Sequence, residues 1–443
     1  MEVSNEFLQK GLVKAKRTER NLHHCLCGHG AYRLFPRHQR APGAVAENVD
    51  YDQAIADYTE AIRTDPDNVD AYIKRGEAYY WRGIECDDKG DYDQAIADYN
   101  EAIRIKPNYA DAYVKRGEAY VGRGYAYFER GDTDSYESNR DQAIADWTKA
   151  ISIDPNNRSA YFSRGIYSHG DQAIADFTQA IRIDPNYAFA YCLRGKEYSH
   201  KGDYDQAIAD YNEAIRISPN DVYNYYYYRS QAYAEKGDYD LAIADASQAI
   251  SVKPDDAFKY VWRGDVYVKK GDYDQGISDF THAISIEPDY AFNYVWRGDV
   301  YVEKGDYARA IADYTQAISI DPNNASTFNT RGFTYNGKGD YDLAIADYTQ
   351  AIRIEPNNAI FLNNRGAAYN KKGEYDRAIA DCTAALRIDP NFANPYRHRG
   401  DAYTGKGKYE QAIADYTAAL KINPDYAEAK EGLEAAQKRG EKK

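Results

Sequence analysis

At 443 residues, the chain is longer than one hydrophobic core usually supports, so we expect several domains or an elongated array of repeats. Tyrosine occurs 46 times, against 13 phenylalanines and 4 tryptophans, and this bias favours a short template that was copied many times. The net charge of −14 repels phosphate backbones, which disfavours nucleic-acid binding.

Cysteine usage and hydropathy predict the cellular compartment of the protein. The five cysteines are an odd number without a disulfide-framework spacing, which is typical of a reducing compartment. The first residues show no secretory signal, and no apolar run approaches the roughly 18 residues of a membrane span. We therefore expect a cytoplasmic protein that does not bind membranes.

Residues 1–48 lack the pattern found downstream and carry eight Lys/Arg against four Asp/Glu, so we expect a disordered N-terminal segment. They contain the run His23-His24-Cys25-Leu26-Cys27-Gly28-His29. Structural zinc sites usually pair cysteines with two to four residues between them and close with a second ligand pair. Neither feature is present, so we expect no metal site and no cofactor.

Residues 49–424 repeat a unit of 34 residues. The prolines that close successive units are Pro66, Pro107, Pro155, Pro185, Pro219, Pro254, Pro288, Pro322, Pro356, Pro390 and Pro424, and six of their ten intervals are 34 residues. We number the units by these prolines, so that repeat 1 ends at Pro66 and repeat 11 at Pro424. Repeat 1 has only a second helix, so we expect a half repeat followed by about ten complete ones.

Each complete repeat predicts two amphipathic helices, here called helix A and helix B. In repeat 7 the recurring small and aromatic residues are Tyr260, Gly264, Tyr267, Ile277, Phe280, Ala283 and Ile284. Gly271 is placed to end helix A, and Asp272 with Gln275 has the spacing of a capping box for helix B.

With small residues at unit positions 8, 20 and 27, aromatic residues at 4, 11, 17 and 24, and proline at 32, the unit resembles the tetratricopeptide repeat. The resemblance covers about residues 49–439. It implies an all-α fold, a right-handed superhelical solenoid of tandem helix-turn-helix repeats, which binds other proteins or peptides. In residues 425–443 we expect a polar capping helix and a tail.

One departure from the family pattern is systematic. Position 7 is arginine instead of leucine in all ten complete repeats, and position 23 is aspartate. We hypothesise a ladder of Arg–Asp pairs, with each arginine stem packed on neighbouring tyrosines. The alternative is that both side chains are merely solvated.

Four repeats have unusual lengths or residues. Repeat 2 has seven extra residues and repeat 3 has fourteen, which predicts first helices lengthened by heptads and, over residues 133–139, a loop. Repeat 4 is four residues short, which predicts the loss of about one helical turn. Repeat 6 has one extra residue and Ser230 in place of glycine, so we expect local irregularity.

The family resemblance implies that positions 2, 5, 9, 12 and 13 of helix A line a concave binding surface. The candidate contact residues are Phe189, Cys192, Phe258, Val261, Asp265, Val268, Phe292, Val295, Asp299, Val302, Asn329 and Asn363. In repeats 7 and 8 they form an apolar stripe edged by carboxylates, which suits a segment with apolar anchors and positive charge. The alternative is that Phe258 and Phe292 pack only against the next helix.

These features favour a protein-binding scaffold. The histidines of the repeats occupy different unit positions and cannot converge on one site, so we expect no enzymatic activity. Position 9 is never asparagine, which disfavours the family's chaperone clamp. A regulatory or targeting subunit that acts through residues 1–48 remains an alternative, and the sequence does not determine the oligomeric state.

Overall fold

The computed structural model describes residues 50–86, 89–219 and 222–441. These residues form 22 α-helices and no strands. The N-terminal segment 1–48, including its histidine and cysteine run, lies outside the described residues.

The chain divides into two compact bodies. The first body, which extends to Ile217, contains the helices α1 (Tyr51–Thr64), α2 (Val69–Cys86), α3 (Lys89–Ile105), α4 (Ala110–Phe128), α5 (Thr133–Ile153), α6 (Arg158–Tyr167), α7 (Asp171–Ile183), α8 (Ala188–His200) and α9 (Tyr204–Ile217). Within this body, consecutive helices pack against each other.

The second body, from Ser218 onward, contains α10 (Val222–Lys236), α11 (Tyr239–Val252), α12 (Ala257–Lys270), α13 (Tyr273–Ile286), α14 (Ala291–Glu303), α15 (Tyr307–Ile320), α16 (Ala325–Lys338), α17 (Tyr341–Ile354), α18 (Ala359–Lys372), α19 (Tyr375–Ile388), α20 (Ala393–Gly405), α21 (Tyr409–Ile422) and α22 (Ala427–Gly440). Even-numbered helices from α10 to α20 are helix A of repeats 6–11, and the odd-numbered helices after them are helix B.

Repeat 7 shows why the unit folds as two helices. Gly271 adopts φ +89°, a left-handed conformation that ends α12 at little steric cost. The Asp272 side chain accepts a hydrogen bond from the Gln275 backbone N–H and so caps α13. Both predicted helix boundaries are confirmed.

Helices A and B approach closely because a small residue of one faces a ring of the other. In repeat 8, a Cβ atom added to Gly298 would lie 2.7 Å from Cε1 of Tyr314, a ring that is fully buried. Equivalent glycines face Phe280 in repeat 7 and Tyr416 in repeat 11. The glycine at position 8 is therefore required by packing against the ring at position 24.

The predicted Arg–Asp ladder is present in all ten complete repeats. In every pair, arginine Nε and Nη2 donate to the two carboxylate oxygens at 2.6–2.9 Å: Arg75–Asp98, Arg116–Asp146, Arg164–Asp176, Arg194–Asp210, Arg229–Asp245, Arg263–Asp279, Arg297–Asp313, Arg331–Asp347, Arg365–Asp381 and Arg399–Asp415. The guanidinium also lies near aromatic rings, as Arg297 does 5.9 Å from the Tyr294 centroid. The solvated alternative is wrong.

Ladder arginines also reach the preceding repeat. In repeats 2–5 and 7–11, Nη1 donates to a side-chain oxygen sixteen residues earlier, for example from Arg297 to Thr281 Oγ1 at 3.0 Å. One planar guanidinium thus joins helix B of its own repeat to helix B of the previous one.

The extra residues of repeats 2 and 3 are shared between both helices, which corrects the prediction of lengthened first helices alone. α2 and α3 have 18 and 17 residues, and α4 and α5 have 19 and 21, whereas helices of regular repeats have 13 or 14. Seven residues after Arg75, Arg82 forms a second bidentate pair with Asp91 at 2.8 and 2.6 Å. The lengthened hairpin therefore repeats the ladder contact two helical turns further along.

Residues 133–139 are helical, so the prediction of a loop there is wrong. The Asp132 side chain accepts a hydrogen bond from the Ser135 N–H and starts α5. Tyr136 packs against aromatic rings of α4, and the buried Asn139 accepts a 2.8 Å hydrogen bond from Arg123 Nε. These contacts outweigh the local turn preference of a polar stretch.

The remaining predicted irregularities have simple structural forms. α6 has ten residues, one turn fewer than a regular helix A, as predicted for repeat 4. In repeat 6 the buried Ser230 hydroxyl donates to the Ala242 carbonyl and accepts from Trp262 Nε1, so serine is satisfied where glycine is usual. The predicted C-terminal helix is α22, whose Gly432 lies against Tyr416.

Candidate binding surface

The predicted contact residues of the first body are largely covered. Phe189 is partly buried and lies 5.9 Å from Phe162, ring centroid to ring centroid. Cys192 is a free cysteine that is only 1% exposed. A partner cannot reach Cys192 in this conformation, which corrects that part of the predicted surface.

Three predicted contact residues of the second body are also buried. Val261 belongs to the core of repeat 7. Asn329 accepts a hydrogen bond from Asn364 at 3.0 Å, and Asn363 lies 2.8 Å from His398 Nδ1. These three side chains are buried within the repeats and are not available to contact a partner. The prediction that they line the binding surface is therefore corrected.

The polar late repeats form an internal network. Burial and the nearby Arg397 lower the pKa of His398 well below its usual value, so the ring is neutral and Nδ1 donates to Asn363. Asn370 donates to the His398 backbone carbonyl at 2.6 Å. Among the described residues, the amide oxygens of Asn336 and Asn370 are buried without a hydrogen-bond partner.

Phe258 and Phe292, by contrast, are exposed, at 49% and 40% of their surface. Both occupy position 2 of a helix A. The predicted neighbours Val268, Val295 and Val302 are partly buried and pack into the hydrophobic clusters beneath. Neither phenylalanine is therefore fully covered by a neighbouring helix.

Each of these phenylalanines belongs to a group of three aromatic rings that sequence reasoning did not identify. We call Tyr227, Phe258 and Trp262 the repeat 7 aromatic cluster, with ring centroids 5.7 Å apart between Tyr227 and each partner. Tyr290, Phe292 and Trp296 form the repeat 8 aromatic cluster, with centroids 5.7–6.1 Å apart. The sequence feature that could have indicated the two clusters is the tryptophan at position 6, which occurs only in these two repeats.

Lysines accompany the repeat 7 aromatic cluster. Lys259 Nζ lies 3.7 Å from the Tyr227 centroid, and burial lowers the pKa of Lys259 to about 8. Lys269 Nζ lies 5.5 Å from the Trp262 centroid and 3.2 Å from Asp265 Oδ2. The predicted contact residue Asp265 is therefore paired with a lysine of its own helix.

The charge near the repeat 8 aromatic cluster is different. Asp299 accepts a 2.7 Å hydrogen bond from the Tyr314 hydroxyl. Burial raises the pKa of Asp299 to about 7, the carboxylate of Glu303 adds to the rise, and the Tyr314 hydrogen bond opposes it. This carboxyl group is thus next to another acid and has no cation beside it among its described contacts.

No group of His, Cys, Asp and Glu side chains in the described residues is arranged to hold a metal ion. Across the same part of the chain, every helix is too short or too polar to traverse a lipid bilayer. The two clusters bring together exposed aromatic rings and carboxylates, with lysines only at the repeat 7 aromatic cluster.

Family models match most of the repeat region. The model described as TPR repeat matches residues 50–83, 86–124, 298–339, 334–373 and 400–433. Two models described as tetratricopeptide repeat match residues 188–221 and 359–392, and residues 223–256 and 260–290. Together these matches cover more than half of the chain.

The chain is also similar to solved helical-repeat structures. YrrB, described as a TPR protein with an unusual peptide-binding site, is 22% identical over 43% of this chain and 97% of its own, with a TM-score of 0.37. A tetratricopeptide repeat protein from Parabacteroides merdae is 19% identical over 56% and 98%, with a TM-score of 0.44. The APC/C hetero-tetramer Cut9-Hcn1 is 17% identical over 87% and 93%, with a TM-score of 0.40. No curated protein matches the chain significantly.

Proposed function

Because this chain belongs to the tetratricopeptide repeat family, a family of protein-interaction scaffolds, we propose that it binds a protein segment on the helix A surface of repeats 7 and 8. We call this surface the docking face and define it by Phe258, Phe292 and the two aromatic clusters. The observation that carries the proposal is the exposure of both phenylalanines, whereas the rings at position 24 are buried.

Exposed aromatic side chains at equivalent positions of adjacent repeats are suited to act as anchors. Aromatic anchors at the centre of an interface commonly contribute about 2 kcal/mol or more each when they are desolvated. Helices α12 and α14, which carry Phe258 and Phe292, both pack against α13. The two exposed rings therefore suit two separate apolar side chains of one extended segment.

The charge of the docking face selects the partner's charge. The chain carries a net charge of −14. Asp299 and Glu303 lie on the same helix as Phe292, whereas Asp265, on the helix of Phe258, is already paired with Lys269. We therefore expect a bound segment with apolar anchors and positive charge. This role needs no catalytic group and no cofactor.

A defined test uses random 12-residue peptides displayed on phage and selected on the full chain. We expect the selected peptides to be rich in apolar residues with Lys or Arg, and to lose binding in the Phe258→Ala/Phe292→Ala variant. The matched control is Leu241→Ala/Leu343→Ala, which removes two equally exposed side chains of helix B. The proposal is wrong if the phenylalanine variant, with unchanged helical content, binds the same peptides as the wild type.

A deletion of residues 1–48 separates the scaffold from the alternative of a targeting subunit. The docking face lies entirely in repeats 6–8, so the deletion leaves peptide binding unchanged if the proposal is correct. Loss of binding in the truncated chain assigns the specific contacts to the N-terminal segment instead.

A further inference from the structure

The two helices that carry the docking face are almost identical in sequence. Residues 257–270 and 291–304 differ at only two of fourteen positions, where Lys259 and Lys269 of the first correspond to Asn293 and Glu303 of the second. Both differences remove a lysine from the neighbourhood of an aromatic cluster. The two repeats thus form a natural comparison of one helix with and without its own cations.

In repeat 7, the contacts of Lys269 show how a cation is bound beside the aromatic cluster. Its ammonium group lies 3.2 Å from Asp265, 3.7 Å from Glu235 of repeat 6 and 5.5 Å from the Trp262 ring centroid. Although burial lowers the pKa of Lys269, the two carboxylates raise it, and the net change is a rise. A cation bounded by a carboxylate and an indole is therefore stable here.

Repeat 8 keeps the indole and the carboxylate but not the cation. Trp296, Asp299 and Glu303 lie on one face of α14, at the same helical spacing as Trp262, Asp265 and Lys269. Asn293 is fully buried, and its amide donates to the Ala283 and Glu287 carbonyls, so it does not replace the missing charge.

The surroundings of Glu303 leave room for an external group. Lys269 is turned toward Asp265 and Glu235, on the side of repeat 6. In repeat 9 the residue that corresponds to Glu303 is Gly337, and a Cβ atom added there would have no atom within 4 Å. Phe292 and Tyr290 of the same aromatic cluster are 40% and 44% exposed.

We infer that Trp296, Asp299 and Glu303 form a receptor for one Lys or Arg side chain of the bound segment. This inference rests on the proposed function and names the group that the docking face recognises. The partner's cation takes the place that Lys269 occupies in repeat 7, between an indole ring and a carboxylate. Repeat 7, which supplies its own lysine, takes only the apolar anchor.

The test uses a probe that does not depend on the rest of the segment. The acetylated and amidated tripeptide Ala-Lys-Ala is titrated into ¹⁵N-labelled full-length chain, with Ala-norleucine-Ala as the uncharged control. We expect the lysine tripeptide to shift the indole signal of Trp296, which is assigned by its loss in Trp296→Phe. The norleucine tripeptide leaves that signal in place, and added salt weakens the response to lysine.

Exchanging the charges between the repeats provides matched variants. Glu303→Lys gives repeat 8 its own cation, so we expect the response of Trp296 to the tripeptide to fall at least tenfold while the chain stays folded by circular dichroism. Lys269→Glu removes the cation of repeat 7, so Trp262 gains a response. Equal responses to both tripeptides, a full response in Glu303→Lys, or no response of Trp262 in a folded Lys269→Glu chain would each overturn the inference.

The proposal of a cation receptor and the proposal of a docking face can be disproved separately. If selected peptides need Phe258 and Phe292 but bind Glu303→Lys as tightly as the wild type, the docking face is correct and the cation receptor is wrong. If Trp296 responds to the lysine tripeptide while no displayed peptide binds, the receptor is correct and the docking face is wrong.

Discussion

Arg297 and Asp313, sixteen residues apart, share two parallel hydrogen bonds of 2.9 and 2.7 Å. The arginine side chain is 18% exposed and the aspartate side chain 9%. The third guanidinium nitrogen donates to Thr281 of the preceding repeat, so one side chain ties three helices together. A bidentate and largely buried pair of this kind is far more sensitive to truncation than an exposed ion pair.

We expect Arg297→Leu to destabilise the second body by about 2–4 kcal/mol, because it leaves the buried Asp313 carboxylate without its partner. Urea unfolding followed by circular dichroism measures the effect. Arg309→Leu is the control, since Arg309 pairs with Asp306 at the surface and its side chain is 64% exposed. Its loss should cost far less stability than the loss of Arg297. Equal effects of the two substitutions would show that the ladder contributes no special stability.

Alanine substitutions at two glycines of helix A should have opposite effects on stability. In Gly298→Ala the new methyl group lies 2.7 Å from Tyr314 Cε1, so the buried ring must move, and we expect a loss of about 1–3 kcal/mol. Gly337 is also helical but faces open space, so Gly337→Ala should add about 0.5–1 kcal/mol through helix propensity. Thermal unfolding of both variants checks the predicted difference in sign.

Features that recur in every repeat could be predicted from the sequence. The family, the helix boundaries around Gly271 and the pairing of Arg297 with Asp313 all follow from patterns that the chain repeats. A single repeat would not have distinguished a paired arginine from a solvated one. Ten copies of the same two residues at the same spacing indicated a structural contact.

Features that depend on one repeat's neighbours could not be predicted. Asn363 is a polar residue of a type usually found at the surface. It is nevertheless buried and hydrogen-bonded to His398 of the next repeat. Tyr290 falls in a turn between repeats, where the helical pattern gives it no role, and only the folded chain shows it against Trp296. The aromatic clusters depend on contacts between repeats, which periodicity within one repeat does not reveal.

The helical start of α5 can be tested with Asn139. Asn139→Ala removes the acceptor of Arg123 Nε and a buried amide that donates to the Ser135 carbonyl, so we expect a loss of about 1–3 kcal/mol. Glu137→Ala, at an exposed position of the same turn, should change stability by less than about 0.5 kcal/mol. Hydrogen exchange over residues 133–139 gives a second measurement, and rapid exchange of these amides would contradict the helix.

The raised pKa of Asp299 predicts how stability depends on pH. The folded state holds its proton up to about pH 7, because burial raises the pKa, whereas an unfolded aspartate releases its proton near pH 4. The stability contributed by the protonated group is therefore fully present below pH 4. It is lost progressively as the pH rises toward and through 7.

Asp299→Asn should remove this pH dependence. The amide oxygen still accepts the Tyr314 hydrogen bond but never carries a charge, so at pH 8 the variant should be more stable than the wild type by on the order of 1–3 kcal/mol. At pH 4 the two chains should unfold at the same urea concentration. Asp265→Asn is the matched control, because it breaks the pair with Lys269 and therefore brings no gain at pH 8. A gain for Asp299→Asn that is equally large at pH 4 would instead indicate a packing effect unrelated to the charge of this carboxyl group.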